Sequence, residues 1–262
     1  MFIDWNVPMI TGVELPGGLT STNIQITFGI ILVLISLSTI AKVLDTKGTL
    51  AAASLGGIIG CLTHWSWLVI LLTFLISAHL ATKWGWERKI KLGVNESNDG
   101  SRGWKNVISN GAIPGTVAIF AFIIQDWTMT LPLYISAVCV ASADTWASEF
   151  GCLDPRVKLI ISNQVVPPGT NGGYSPIGQK AAFLGSLLIG ICGLIFAWLP
   201  SEFNLVTCIY WSSISIIAGW LGCQFDSLIG GLYENRGWIS KGGVNNAAIG
   251  FGLLFTLIFV II

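Results

Sequence analysis

Eight apolar runs divide this chain, and the polar segments between them alternate between those that carry cations and those that carry none. The runs are Ile24–Val43, Gly48–Thr63, Trp65–Thr82, Val107–Ile124, Trp127–Ala143, Ala181–Leu199, Phe203–Gly231 and Val244–Ile262. All but Gly48–Thr63 reach or approach the roughly 20 residues that a spanning helix needs. Backbone polar groups in lipid must be satisfied within the segment, and the runs lack the alternation of barrel strands, so each is expected to be a helix.

The cations then orient the threading. Lys42 at the end of run one and Lys47 before run two mark the first connection, and Lys83, Arg88, Lys89, Lys91, Arg102 and Lys105 lie between three and four. Arg156, Lys158 and Lys180 lie between five and six, and Arg236 and Lys241 between seven and eight. All 13 Lys and Arg residues therefore fall on one side, the cytosolic side by the positive-inside bias. Dropping or adding one span would scatter them over both faces. The expected fold is all-α, a polytopic transmembrane helix bundle of about eight spans with both termini outside. It forms a single integral membrane domain over 1–262, with the bundle at 22–262 and an outer N-terminal segment at 1–21.

Composition agrees, because only 10% of the 262 residues are charged, against about 25% in soluble domains. Residues 1–21 contain Asp4 and Glu14 but no Lys or Arg, unlike a signal-peptide n-region or an Arg-rich transit peptide. A prokaryotic plasma membrane is the expected location. The net charge is zero, so nucleic acid is not an expected partner. The 6 Cys form no CxxC pair and are scattered over separate runs, which reads as small apolar packing residues rather than a disulfide framework or zinc site. Gly56 with Gly60, and Gly219 with Gly222, read as close helix contacts, and Trp residues at run ends as an interfacial belt.

Three segments break the apolar pattern on the inner face. The first, Ala143–Gly151, reads ADTWASEFG; Asp144 and Ser148 share one helix face, whereas Glu149 is rotated about 140° from Asp144. The second is the inner end of run seven, where Asp226 interrupts a long apolar stretch. A carboxylate at the centre of a span costs roughly 2.5–3.5 kcal/mol, and less toward the interface. Runs five and seven both point their negative dipole ends inward, where Asp144, Glu149 and Asp226 cluster, and this placement calls for a bound cation. Hard oxygen ligands too few for a closed cage suit Mg²⁺ that keeps waters and shares phosphate oxygens.

The third segment, Val166–Ser175, is Gly-rich and precedes run six, whose positive N-terminal end faces the same side. Backbone N–H groups there favour an anion, although no Walker A pattern is present. Arg102, close to the start of run four and before Asn110-Gly111, is the inner cation best placed for bidentate phosphate contact.

Together these segments resemble a membrane family, once of unknown function, that includes the phytyl-phosphate kinase of tocopherol synthesis in plants and cyanobacteria and related archaeal and animal transmembrane proteins. ADTWASEFG at 143–151 is similar to the family's ADTxASE-G signature, PPGTNGGYS at 167–175 to its PPGTNGG loop, and GWLGCQFDSLIGG at 219–231 to its DSLLG helix. Val244-Asn245 is a shorter echo.

The resemblance implies transfer of the γ-phosphoryl group of a nucleoside triphosphate, CTP in the first place, to phytyl or geranylgeranyl monophosphate. On this reading Asp144, Glu149 and Asp226 are Mg²⁺ ligands and, with Arg102, the catalytic set. Gly169, Thr170, Asn171, Gly172 and Gly173 cradle phosphate, and Lys83, Asn110, Ser148, Ser227 and Asn245 complete the nucleotide and lipid-phosphate contacts. The competing expectation is a carrier of a small ion or lipid headgroup, since Gly-rich breaks also mark transport sites.

Overall fold

A computed structural model describes residues 17–95, 97, 99–199 and 203–261. Most of the proposed outer N-terminal segment, with Asp4 and Glu14, therefore lies outside the described residues. The elements are α1 (Ser21–Ala41), α2 (Thr46–Leu62), α3 (Trp65–Lys83), the short α4 (Trp86–Leu92), α5 (Trp104–Ile124), α6 (Trp127–Gly151), a two-stranded hairpin of β1 (Lys158–Leu159) and β2 (Gly173–Tyr174), α7 (Pro176–Trp198), α8 (Leu205–Leu232) and α9 (Lys241–Ile261). Each expected span corresponds to one long helix, and the bundle is that of an integral membrane protein.

Six of these helices have the length and hydropathy to cross a membrane by themselves, and α2 is a shorter apolar helix of 17 residues. The eighth, α6, is the axis of the bundle. Every residue from Thr130 to Ala143 is buried, so α6 meets protein on all sides and can carry Ser, Thr and Pro that a lipid-facing helix would not. These polar groups bond across helices: Ser142 Oγ donates to the Gly185 carbonyl at 2.8 Å, Ser136 Oγ to that of Gly252 at 3.1 Å, and Tyr134 Oη to that of Trp67 at 2.7 Å. Ser215 Oγ on α8 donates to the Pro132 carbonyl at 3.2 Å.

Small residues let the neighbours approach α6 this closely. A Cβ added at Gly222 of α8 would stand 2.7 Å from the Val140 methyls, and one at Gly193 of α7 would stand 2.7 Å from Ile135. Gly60 of α2 packs the same way on Thr27 of α1. Without lipid-excluding hydrophobic force between spans, such close backbone packing supplies the dispersion contact that holds them together.

The cation-bearing connections gather at one end of the bundle. Leu44, between α1 and α2, forms a parallel bridge with Arg102, just before α5, with Arg102 N donating to the Val43 carbonyl at 3.1 Å and Asp45 N to the Arg102 carbonyl at 3.1 Å. At the opposite end, Asn23 of α1 donates to the carbonyls of Gly60 at 2.7 Å and Thr63 at 3.1 Å and accepts from Trp65 N at 2.9 Å, tying α1 to the α2–α3 turn.

Candidate active site

α6 runs two turns past the apolar limit read from the sequence and carries Asp144 and Ser148 to the inner end of the bundle, where α8, which ends within one residue of its expected limit, brings Asp226 and Ser227. There they form the floor of a chamber of about 480 Å³, whose other walls are the Gly169–Ser175 loop, the segment after α4, the first turns of α7 and α9, and Glu234. Lys241 and Asn245, from the first turns of α9, reach it as well.

The loop is held in place by its own turns and by α8. Thr170 Oγ1 donates to the Pro167 carbonyl at 2.7 Å, and Gly173 N to the Thr170 carbonyl at 3.0 Å. Gly172 has φ +75° and lies so close to α8 that an added Cβ would stand 2.5 Å from Gly231 Cα. The Gly230-Gly231 pair of the family-like motif is therefore the seat of the loop. Asn235 Nδ2 clamps it from outside through the Asn171 carbonyl at 3.2 Å.

Asp154 anchors the near side. It accepts from Arg156 Nε at 2.9 Å and Nη2 at 3.1 Å and from the backbone N–H groups of Arg156 at 3.0 Å and Ile177 at 3.1 Å. These donors, the Arg156 guanidinium first, hold its carboxyl down at about 2. Ser175 caps α7 by accepting from Gly178 N at 3.1 Å. The expected anion-attracting start of α7 thus has two of its N–H groups committed to protein side chains.

The carboxylates separate into two environments. Asp226 and Asp144 line the chamber together with Glu234 and Lys241, and Asp226 Oδ2 is buried with no hydrogen-bond partner. Two carboxyl groups lining one small chamber repel unless a proton or a cation lies between them. An orphaned carboxylate oxygen beside a second carboxylate, in a chamber with room for waters, fits a divalent ion of the Mg²⁺ type.

Glu149 does not join them, which corrects its reading as a metal ligand. Its Oε1 accepts from Thr82 Oγ1 at 2.6 Å and Arg102 Nη2 at 3.2 Å, and its Oε2 from Lys89 Nζ at 2.7 Å. Both oxygens are taken by donors, because the 140° turn that separates Glu149 from Asp144 aims it at α3 and the α4–α5 connection. Among the described residues no group of three or more His, Cys, Asp or Glu side chains is arranged to hold a metal. The expected three-carboxylate cluster is a pair plus an ion-paired third.

Of the other expected residues, Gly169 to Gly173, Ser148, Ser227 and Asn245 all line the chamber. Lys83 does not: its Nζ donates to the Asp99 carbonyl at 2.5 Å and lies 5.2 Å from the Trp86 ring, so it secures the α4–α5 connection. Arg102 and Asn110 stand behind the chamber wall. Asn110 is reached from the chamber side by Asn245 Nδ2 at 3.4 Å. Residues that the sequence reading missed are Lys241, Glu234 and Lys89. Lys89 was hidden among six cations of one connection, and nothing local marks it as the buried one.

Comparison with known sequences places the chain among integral membrane proteins. The sequence profile of the integral membrane protein DUF92 family matches residues 29–250. An uncharacterized membrane protein of Methanocaldococcus jannaschii is 32% identical, over 84% of this chain and 87% of its own. Protein PGR of Arabidopsis thaliana is 28% identical over 69% of this chain and 68% of its own, and an uncharacterized membrane protein of Synechocystis sp. is 29% identical over 84% and 87%. No solved structure matches the chain. With 222 consecutive residues inside the profile, covering every motif that lines the chamber, this chain belongs to the DUF92 family of integral membrane proteins.

Proposed function

We propose that the protein is a Mg²⁺-dependent lipid-phosphate kinase that converts an isoprenoid monophosphate, phytyl or geranylgeranyl phosphate, to the diphosphate with a nucleoside triphosphate, CTP first among them. The observation that carries this reading is the Asp144–Asp226 pair, with an orphaned buried oxygen, set directly beneath a glycine-seated loop at the cytosolic end of the bundle. The resemblance of the ADTWASEFG, PPGTNGG and DSLIGG segments to phytyl-phosphate kinase supplies the substrate class. The prokaryotic plasma membrane is the proposed location, with nucleotide entering from the aqueous side.

The chemistry asks for position and charge neutralisation. An oxygen of the acceptor phosphate attacks the γ-phosphorus, forming one P–O bond as the bond to the β,γ-bridging oxygen breaks, and the electron pair leaves with the nucleoside diphosphate. The attacking oxygen is already anionic, so no general base is required, in keeping with a chamber without His. Bound Mg²⁺ would neutralise phosphate charge; Asp144 and Asp226 would hold it, with Ser148 and Ser227 alongside. The loop amides and Lys241 face the developing charge on the phosphoryl oxygens. A carrier fares worse, because the buried stretch Thr130–Ala143 of the central helix contains no Asp, Glu, Lys, Arg or His at mid-depth.

The test is incubation of purified protein with Mg²⁺, each of the four common nucleoside triphosphates and geranylgeranyl monophosphate. Diphosphate formed with at least one donor, and abolished in Asp226→Asn, supports the reading. Absence of product with every donor overturns it.

A further inference from the structure

A second opening lies behind the chamber wall, between α1, α2, α3 and α5. It is a narrow slot of about 40 Å³, apolar along its length, with Leu34, Leu55, Leu68 and Phe74 among its lining residues. Its polar residues are Arg102, Asn106 and Asn110, at the inner end of α5. The slot and the chamber are separated by two residue pairs. Glu149 lines the chamber while its ion-pair partner Arg102 lines the slot, and Asn245 lines the chamber while its hydrogen-bond partner Asn110 lines the slot.

The charge on this partition is not balanced. Lys89 and Arg102 share the single carboxylate of Glu149, so among the described ion pairs one positive charge is left over. Arg102 is only 8% exposed, and its Nε–H is buried without a hydrogen-bond partner although both terminal nitrogens are used. A buried guanidinium with a spare donor and surplus charge is costly unless an anion completes it. An apolar slot ending at such a group matches a molecule with a hydrocarbon chain and an anionic head.

We propose that the slot receives the head-proximal isoprene unit of the acceptor lipid, with its phosphate held at the Arg102–Asn110 partition facing the chamber. The identity of the lipid rests on the kinase reading; the existence of an anionic-amphiphile site does not. A volume of about 40 Å³ takes the methyl branch of that unit, with the remainder of the chain lying outside the slot in the bilayer. Arg102 thereby holds the acceptor phosphate, and Glu149 with Lys89 positions Arg102.

The experiment uses the full-length protein in nanodiscs and a geranylgeranyl monophosphate analogue with a photoreactive group on its first isoprene unit. Crosslinks are expected in α2, α3 and α5, displaced by unlabelled geranylgeranyl monophosphate and not by an equal amount of phosphatidylglycerol. Ala52→Phe, which narrows the slot, is expected to raise the KM for geranylgeranyl monophosphate about tenfold, from loss of roughly 60 Å² of apolar burial. Ile123→Ala on the lipid-facing surface of α5 serves as the control that changes neither. Crosslinks on lipid-facing surfaces outside the slot, displacement by phosphatidylglycerol as readily as by the isoprenoid, or an unchanged KM in Ala52→Phe overturns the proposal. If no nucleotide supports phosphorylation, the kinase reading fails while the crosslinking arm still decides whether the slot binds the amphiphile.

Discussion

Lys89 Nζ lies 2.7 Å from Glu149 Oε2, joining a short interfacial helix to the last turn of the central one. The same ammonium donates to the Ala81 and Thr82 carbonyls at 2.8 and 3.1 Å, where the C-terminal end of α3 concentrates negative partial charge. Lys89 is 1% exposed, so its three donors are all matched inside the protein. One side chain thus fixes α4 against α3 and α6, and with α4 the Gly93–Asn95 wall of the chamber.

Removing either member of this pair leaves a buried charge short of its partner. Lys89→Met is expected to destabilise the protein by about 3 kcal/mol, and the double variant Lys89→Met/Glu149→Gln by less than the sum of the two singles. Thermal unfolding in detergent, followed by intrinsic Trp fluorescence, measures both. A Lys89→Met protein as stable as the parent would remove the pair from the list of forces holding the wall.

The Asp144–Asp226 pair calls for the opposite outcome. Asp226→Asn relieves like-charge repulsion, so without divalent ions the variant should unfold at a temperature a few degrees above the parent. Its Mg²⁺-dependent nucleotide affinity should fall by about two orders of magnitude, since one hard-oxygen ligand is gone. Unfolding scans with and without Mg²⁺ read the two effects together, and a variant that keeps the Mg²⁺-induced shift would place the ion elsewhere.

Glycine is required unequally along the loop. At Gly172 an alanine faces both a left-handed backbone, costing about 1–2 kcal/mol, and a clash with Gly231 backbone at 2.5 Å that cannot give way. Gly169 is left-handed too, with φ +84°, but its contact is the Val94 side chain at 2.9 Å, which can rotate, so an alanine there meets the backbone cost alone. Gly172→Ala should therefore lose nucleotide binding and loop protection from proteolysis, whereas Gly169→Ala should keep most of both. Equal effects would mean that the loop is not seated on α8.

Acid should release the loop through Asp154. Its carboxyl is held at about 2 by the Arg156 guanidinium and the N–H groups of Arg156 and Ile177, against about 3.8 when free. A depressed carboxylate contributes stability above its unfolded value and loses it as pH falls toward the folded value. Exchange protection of residues 155–177, corrected for the intrinsic pH dependence of amide exchange, should be flat above pH 4 and fall between about pH 4 and 2. Asp154→Asn should show the fast exchange already at neutral pH with no step in that window.

The division into spanning helices was legible in the chain itself, since the hydrocarbon core selects spanning lengths and backbone groups in lipid must be satisfied within each segment. So were the chamber-lining members of the site: Asp144 and Ser148 share a helix face by period alone, and a Pro-Pro-Gly-Thr-Asn-Gly-Gly segment has few uses beside two inward-pointing carboxylates. The 140° offset of Glu149 from Asp144 was legible too, but it did not by itself exclude Glu149 from the carboxylate cluster; the partners that occupy both its oxygens do.

That partner was decided by tertiary packing. Which of six cations in the α3–α5 connection becomes buried depends on how α4 folds back onto α3, a matter of contacts between segments far apart in the chain. The same holds for the Arg102–Glu149 and Asn110–Asn245 partition, each spanning more than 40 residues, and for the slot behind it. Period and charge rules act within one segment, whereas pairing of buried charges is chosen by the low-dielectric space that only the assembled helices enclose.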